Sequence, residues 1–400
     1  MKYFFQEIAN ILGASYQSCF FCHSVGIRPL YGGKNRARPA RRADSSLQDD
    51  KHKVHRFVLL LLAFCLPLVV FPQKVTAVTG VSITVEDLAR EVDFFVKNLD
   101  FQKIKEETLA GEEVAKLYGL PENTASVQIV TLQLGTEKIQ LMDFSPTPAL
   151  PGREGDSRPV PPDTRSNDLW FQHLAIVVSD MDAAYQRLLK NKVAHVSTSP
   201  QTLPDYLPNA AGIEAFYFRD PEGHNLELIW FPTDKGNPRW QPSTVSREPS
   251  TVFLGIDHTA IGIADTDTSM AFYRDALGLV HSGHSENYGT EQEHLNQVFG
   301  ARLDINGLHA EAGFGVEFLR YIAPPGGRPY PTDSRPTDLW HYQTELEVDD
   351  LPKMLEKLEH RGFRKISTAV AKIGNAEMFL LRDPDGHAVL LKSQEKKKKG

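Results

Sequence analysis

Asp168-Leu-Trp-Phe-Gln-His-Leu-Ala-Ile-Val-Val-Ser-Asp180 reads as an apolar strand with a single histidine, His173, near its start. The acidic residue that closes it precedes a helical pattern, Met181–Lys190, in which Ala183, Ala184, Leu188 and Leu189 fall on one face. The same strand pattern returns as Ile256-Asp-His-Thr-Ala-Ile-Gly-Ile-Ala-Asp265. Two weaker copies are Gly80-Val-Ser-Ile-Thr-Val-Glu-Asp87 and Gln343-Thr-Glu-Leu-Glu-Val-Asp-Asp350. Four copies of one motif imply four copies of one module, and internal repeats decide the fold before any local feature does.

The modules run from about Val78 to Phe144, Trp170 to Phe231, Leu254 to Ile322 and Trp340 to Lys392. Each reads as a strand, a helix and further strands. In module two the later strands fall near Ala194–Ser197, Glu214–Phe218 and Asn225–Phe231. Asp220-Pro-Glu-Gly223 is a turn, because proline presets φ and glycine accepts a positive one, and Asp383-Pro-Asp-Gly386 repeats it. A larger unit is duplicated too. Arg158-Pro159 through Asp168-Leu-Trp170 matches Arg328-Pro329 through Asp338-Leu-Trp340 at a constant offset of 170 residues. Modules one and three share a long excursion before the last strand, Gly111–Glu137 and Glu286–Gly315. The Pro-rich segments Ser145–Arg165, Thr233–Pro249 and Pro324–Pro336 read as linkers, too rigid and polar for core.

A chain of 400 residues holds two or three ordinary domains, and an apolar content of 41% is that of a globular protein. The net charge of −7 argues against a nucleic-acid partner. Cys19, Cys22 and Cys65 all precede the modules, so the modules have no disulfide, no thiolate metal site and no cysteine nucleophile. Residues 1–56 are mixed and basic and are expected to be a low-order leader. Cys19-Phe-Phe-Cys22-His23 formally matches a c-type haem attachment site, read here as a chance match. Phe57–Phe71 is an apolar run of 15 residues, preceded by Lys51, Lys53 and Arg56 and followed by the small-residue triplet Val75-Thr76-Ala77. Residues 57–77 thus have the three parts of a secretory signal, or form an uncleaved anchor. The expected protein is exported or membrane-anchored, with modules one and two over 78–232 and three and four over 250–395.

Aligned on the closing aspartates, the strand-start position holds Gly80, His173, His258 and Gln343. Aligned on the last strands, a second position holds Gln140, Glu227, Glu317 and Leu390. Modules two and three therefore each contribute one His and one Glu. Glutamates in Asn225-Leu-Glu-Leu-Ile-Trp230 and Val316-Glu-Phe-Leu319 are costly if buried unpaired. Two imidazoles and two carboxylates suit a divalent metal: zinc, nickel, cobalt, manganese or ferrous iron. His224, His281, His284, His341 and His387 lack that symmetry and read as surface or turn residues.

This arrangement resembles the vicinal oxygen chelate superfamily of glyoxalase I, methylmalonyl-CoA epimerase, fosfomycin and bleomycin resistance proteins and extradiol dioxygenases. The resemblance spans about Val78 to Lys392 and rests on His173, Glu227, His258, Glu317 and the Asp-Pro-x-Gly-His turns ending at His224 and His387. It implies an α+β fold of four tandem βαβββ modules forming two curved mixed-sheet half-barrels, with metal ligands on the first and last strand of each module. If modules two and three share a sheet, one site takes all four ligands and modules one and four keep a degenerate partner. If one pairs with two and three with four, each site has three, Gln140, His173 and Glu227 or His258, Glu317 and Gln343. The first pairing is the expectation, although the duplicated larger unit favours the second.

The resemblance further implies isomerase or lyase chemistry on a small molecule that chelates the ion through adjacent oxygens, with Glu227 or Glu317 as the base. One alternative is a catechol-cleaving extradiol dioxygenase, against which stand Gln343 and Leu390 where that branch needs His and Glu. Another is a non-catalytic binder of the bleomycin-resistance kind.

Overall fold

The four repeated aspartates start helices. Asp87, Asp180 and Asp265 each accept a hydrogen bond from the backbone N–H three residues on, at 3.0, 2.9 and 2.9 Å, and Asp350 does the same for Lys353 at 3.3 Å. A carboxylate there satisfies an N–H that the helix leaves unpaired and complements the helix dipole. The computed structural model describes residues 73–122, 125–144, 157–241, 251–359 and 363–394. The basic leader, the Cys19–His23 motif and the apolar run Phe57–Phe71 lie outside these. Val75-Thr76-Ala77 lies inside a strand rather than ahead of one.

Module one comprises β1 (Val75–Thr84), α1 (Leu88–Leu99), β2 (Gln102–Ala110), α2 (Glu112–Tyr118), β3 (Ser126–Leu134) and β4 (Glu137–Asp143). Module two has β5 (Gln172–Val178), α3 (Met181–Lys190), β6 (Ala194–His195), β7 (Gln201–Thr202), β8 (Glu214–Arg219) and β9 (Asn225–Trp230). Module three has β10 (Phe253–Gly262), α4 (Thr266–Met270), β11 (Val280–Tyr288), α5 (Thr290–Asn296), β12 (Arg302–His309), β13 (Ala312–Gly313) and β14 (Gly315–Ala323). Module four has β15 (Tyr342–Val348), α6 (Leu351–Glu359), β16 (Arg364–Lys365), β17 (Ala371–Ile373), β18 (Ala376–Arg382) and β19 (Ala388–Gln394).

The modules cross-pair into two curved mixed sheets. The first runs β16-β18-β19-β15-β1-β4-β3-β2, from modules four and one. The second runs β11-β12-β14-β10-β5-β9-β8-β6, from modules three and two. At each seam the first strands of two modules pair antiparallel, β1 with β15 and β10 with β5. This pairing gathers both His–Glu pairs into one sheet.

One continuous core holds residues of both sheets, such as Val81, Ile83, Leu174 and Ile176, together with helix residues such as Phe95, Leu188, Tyr273 and Met354. The remaining apolar clusters differ between the sheets. Beside the first sheet a single cluster of α2, β3, β18 and β19 residues closes up, including Val114, Tyr118, Leu380 and Leu390. Beside the second, the buried apolar residues fall into three smaller clusters. The second sheet carries a cavity.

The proline-rich segments are more structural than their composition suggests. Arg158 donates from Nη2 to Asp338 at 2.8 Å, and Arg328 donates from Nη2 to Asp168 at 2.7 Å. Arg158 stacks 4.5 Å over Trp340, and Arg328 stacks 4.6 Å over Trp170. The 170-residue duplication is thus a reciprocal clamp, each copy's arginine held by the other copy's aspartate.

His224, His341 and His387, expected at the surface or in turns, are buried. His224 donates to Leu339 O at 2.6 Å and sits 2.6 Å from Asp220, and His387 donates to Gly262 O at 2.8 Å. His224 joins a turn of the first copy to the backbone of the second, and His387 joins the turn of module four to the first strand of module three. His281 and His284 are exposed, as expected.

Beside His224, Glu91 is fully buried and neither carboxylate oxygen has a hydrogen-bond partner among the described residues. Burial, reinforced by Asp220, pushes its carboxyl up to about 9. Burial opposes protonation of His224, but Asp220 outweighs it and holds the imidazole up at about 9. Both groups bind more protons folded than unfolded, so their stabilisation is present at low pH and is lost as pH rises towards 9. Glu91→Gln mimics the protonated acid. Urea unfolding should show the variant losing less stability than wild type between pH 6 and 9, by roughly 1 kcal/mol per pH unit. Equal slopes would show that Glu91 does not titrate in that range.

Candidate metal centre

Two antiparallel seam strands and their parallel neighbours bring the four residues singled out in the sequence to one place. In the register of β10 on β5, His258 faces Ala175 and Ala260 faces His173. β9 lies parallel to β5 with Glu227 beside Ala175, and β14 lies parallel to β10 with Glu317 beside Ala260. Side chains two apart on a strand share a face, so both pairs project to the same side.

The donor atoms are close. His173 Nε2 is 3.0 Å from Glu227 Oε2, His258 Nε2 is 3.5 Å from the same oxygen, and the two imidazole nitrogens are 3.5 Å apart. His173, Glu227 and His258 form a buried trio whose ligand atoms all lie within 4.8 Å of one another. Glu317 stands at its edge, Oε1 being 3.6 Å from His258 Nε2. Tetrahedral bonds of about 2.1 Å require donor atoms roughly 3.4 Å apart, so this donor set fits a zinc-sized divalent ion. Asp257 Oδ2 lies 3.1 Å from His258 Nδ1 and can orient that ring, whereas His173 Nδ1 has no partner among the described residues.

The electrostatics are uneven. Burial would raise Glu227, but His173 and then His258 outweigh it and hold the carboxyl down at about 2. Burial lowers His173. Burial acts against the His258 cation too, yet Glu317, Asp257 and Glu227 together hold that imidazole well above its ordinary value. Glu317 is pushed up to about 7, chiefly by burial. Its side chain is 26% exposed against 7% for Glu227, so Glu317 is the more open of the two acids.

The residues open on a cavity of about 460 Å³ lined by Glu227, His258 and Glu317 on one side and by Ser282, Asn287 and Gln292 among others. Tyr217, beside Glu227 on β8, lines it as well, and burial together with Glu227 keeps its phenol protonated. Neither Tyr217 nor Gln292 stands out in the sequence. Gln292 lies on a seven-residue helix inside the excursion of module three, too short for a periodic signal.

The matching positions of the first sheet are Gly80, Gln140, Gln343 and Leu390, as the alignment of the repeats requires. Among the described residues that sheet gathers no comparable set of ligands. Glu345 is instead neutralised by Lys392 at 2.8 Å and accepts from Ser82 at 2.5 Å.

The family model described as the Glyoxalase/Bleomycin resistance protein/Dioxygenase superfamily matches residues 77–228 and 255–391. The chain belongs to this superfamily. Its members usually bind a divalent metal, and the donor atoms of His173, Glu227 and His258 are close enough to hold one. A 2-epi-5-epi-valiolone epimerase from an Actinomyces species is 32% identical over 161 residues, which are 39% of this chain and 80% of that protein. A lactoylglutathione lyase-like protein from Aspergillus terreus is 28% identical over 166 residues, 38% of this chain and 82% of that protein. Among solved structures, glyoxalase I from Zea mays superposes with a TM-score of 0.52 at 15% identity, covering 80% of this chain and 92% of that one. At that identity the likeness is one of fold.

Proposed function

We propose that the chain is a metal-dependent isomerase or lyase acting on a small carbonyl compound with a neighbouring oxygen. The observation that carries this is the convergence of His173, Glu227, His258 and Glu317, the last three of which line one wall of a cavity. An epimerase and a lyase-like protein among the relatives support the reaction class. Held by His173, Glu227 and His258, a divalent ion would supply Lewis-acid polarisation of two adjacent substrate oxygens.

The protein's own groups do the rest. Glu227, pinned between two imidazoles, fixes the ligand geometry. Glu317, more open and at the edge of the trio, takes the proton α to the carbonyl and returns it to the same or the neighbouring carbon. Ring cleavage of a catechol would need histidine and glutamate where module four has Gln343 and Leu390, so the proton-transfer reading is preferred.

Two measurements test it together. Metal analysis of the purified chain should find one divalent ion per chain, and incubation with hydroxyacetone in D2O should exchange the α-hydrogen in a chelator-sensitive manner. A metal-loaded protein that exchanges no α-hydroxycarbonyl compound would overturn the isomerase or lyase assignment.

A further inference from the structure

The two sheets offer an internal comparison, because each carries a copy of the same short helix. α2 and α5 both follow a glycine at positive φ, +93° at Gly111 and +100° at Gly289, and both end on a left-handed residue, Gly119 or Gln297. Position by position, Val114 corresponds to Gln292, Leu117 to Leu295 and Tyr118 to Asn296. Strand register extends the match: Leu380 corresponds to Tyr217, and Phe144, just beyond β4, corresponds to Tyr321.

In the first sheet these positions are apolar and packed. Tyr118 meets Phe144 edge-on with ring centroids 5.0 Å apart, in one cluster with Val114, Leu380 and Leu390. In the second sheet the same positions carry a polar chain. Gln292 Nε2 donates to Asn296 Oδ1 at 2.7 Å, and Asn296 Nδ2 donates to the Tyr321 hydroxyl at 2.5 Å. This chain fixes the Gln292 amide and leaves its Oε1 as an acceptor with no partner among the described residues. Gln292 is 2% exposed and lines the cavity. An unpaired buried acceptor is destabilising, and the first sheet shows that the fold closes without one.

We propose that the cavity is built for an uncharged, polyhydroxylated carbonyl compound, one of whose hydroxyls donates to Gln292 Oε1. This rests on the reading that the metal-side wall handles the carbonyl and its neighbouring oxygen, and it names what the remaining wall recognises. Among the described residues no lysine or arginine lines the cavity. Its one imidazole beyond the metal side, His284, lies 3.0 Å from Asp304. Two carboxylates beside a divalent ion leave no net positive charge for a phosphate or carboxylate, and a buried anion without a partner is strongly disfavoured. Hydroxyls and amides such as Ser282, Asn287 and Gln292 instead offer neutral donors and acceptors.

The test is a panel of deuterium-exchange assays on the metal-loaded protein. It uses hydroxyacetone, 2-keto-myo-inositol, a phosphate ester of that ketone, and the hemithioacetal of methylglyoxal and glutathione. The neutral cyclic polyol should be exchanged with the highest kcat/KM, at least about tenfold above either anionic compound. Gln292→Leu should raise KM for 2-keto-myo-inositol about tenfold relative to that for hydroxyacetone, as expected for one lost hydrogen bond. Because that change strips Asn296 of its partner, a triple variant provides a second reading: Gln292→Val with Asn296→Tyr and Tyr321→Phe copies the packing of the first sheet. It should show the same rise in KM ratio with one ion still bound per chain. Preference for an anionic compound, exchange of hydroxyacetone alone, or an unmoved KM ratio in both variants would overturn the proposal while leaving the isomerase or lyase reading in place. Failure of every compound, hydroxyacetone included, would overturn that reading and this inference with it.

Discussion

Replacing Glu227 by glutamine will leave the purified protein with less than about a tenth of its metal and will lower exchange activity by roughly a thousandfold or more. Glu227 Oε2 is the atom both imidazoles share, 3.0 Å from His173 and 3.5 Å from His258. An amide in its place removes the charge that would hold a divalent ion beside the two rings. Glu317→Gln should behave differently. Glu317 lies at the edge of the trio and is more open, so the variant should retain most of the ion while kcat falls about a hundredfold or more. Plasma emission spectroscopy on both variants, with exchange rates measured on metal-replete samples, separates the two roles. If Glu317→Gln also empties the site, Glu317 is a full ligand and the base must be sought elsewhere on the wall. His173→Ala should lose the whole complement of metal, not half, because modules two and three share one sheet and one site.

The site's legibility came from the strand register. His173 and His258 mark the same position in repeated strands, Glu227 and Glu317 the same position in the strands beside them, and a period of two puts each pair on one face. Aspartates at a fixed distance made the alignment possible because each caps a helix. Cross-pairing was legible by the same route, since a site with all four ligands demands it. The opposite wall was not legible. Gln292 and Asn296 gain meaning only beside Val114 and Tyr118, and that comparison needs the two short helices to be seen in matching places. The turn histidines were misjudged because a polar residue after Pro-x-Gly reads as exposed. In the fold, His224 and His387 instead reach carbonyls of Leu339 and Gly262, far away in sequence. The proline-rich segments misled for a related reason. Composition reports rigidity and polarity, whereas burial of Thr164 within one segment, and of Asp168, Thr337 and Asp338 just after them, depends on what lies across from them.

The clamps that Arg158 and Arg328 of those segments make with Asp338 and Asp168 supply the largest expected loss of stability outside the candidate metal centre. Asp168→Ala should destabilise the protein by about 3 kcal/mol, with Asp338→Ala close behind. Asp168 is 2% exposed and accepts from Arg328 N, Nε and Nη2 at 3.0, 3.1 and 2.7 Å and from Arg165 N at 2.9 Å. Asp338 mirrors it, accepting from Arg158 N, Nε and Nη2 at 3.2, 3.2 and 2.8 Å and from Arg335 N at 2.9 Å. Removing the carboxylate orphans backbone donors as well as a guanidinium, which is why the cost exceeds that of a surface ion pair. The Arg328 side chain is 42% exposed and still pairs with Asp163 at 3.1 Å, so water and that second acid recover part of the loss and keep the figure at the lower end for a buried pair. A double-mutant cycle of Asp168→Ala with Arg328→Ala isolates the interaction, and a coupling of about 1.5–3 kcal/mol in urea unfolding is expected. A coupling below about 0.5 kcal/mol would mean that this clamp contributes no more than a surface ion pair beside the strand seams and shared core that join the two copies. The direction of the contact matters as much as its size. Each arginine reaches across to the other copy's aspartate, so weakening either clamp acts on how the two halves of the duplication are held. Where the seam strands β10 and β5 must stay in register for His173 and His258 to meet, that loosening should also lower metal affinity. Metal titration of Asp168→Ala, at a temperature where it remains folded, reads that coupling directly.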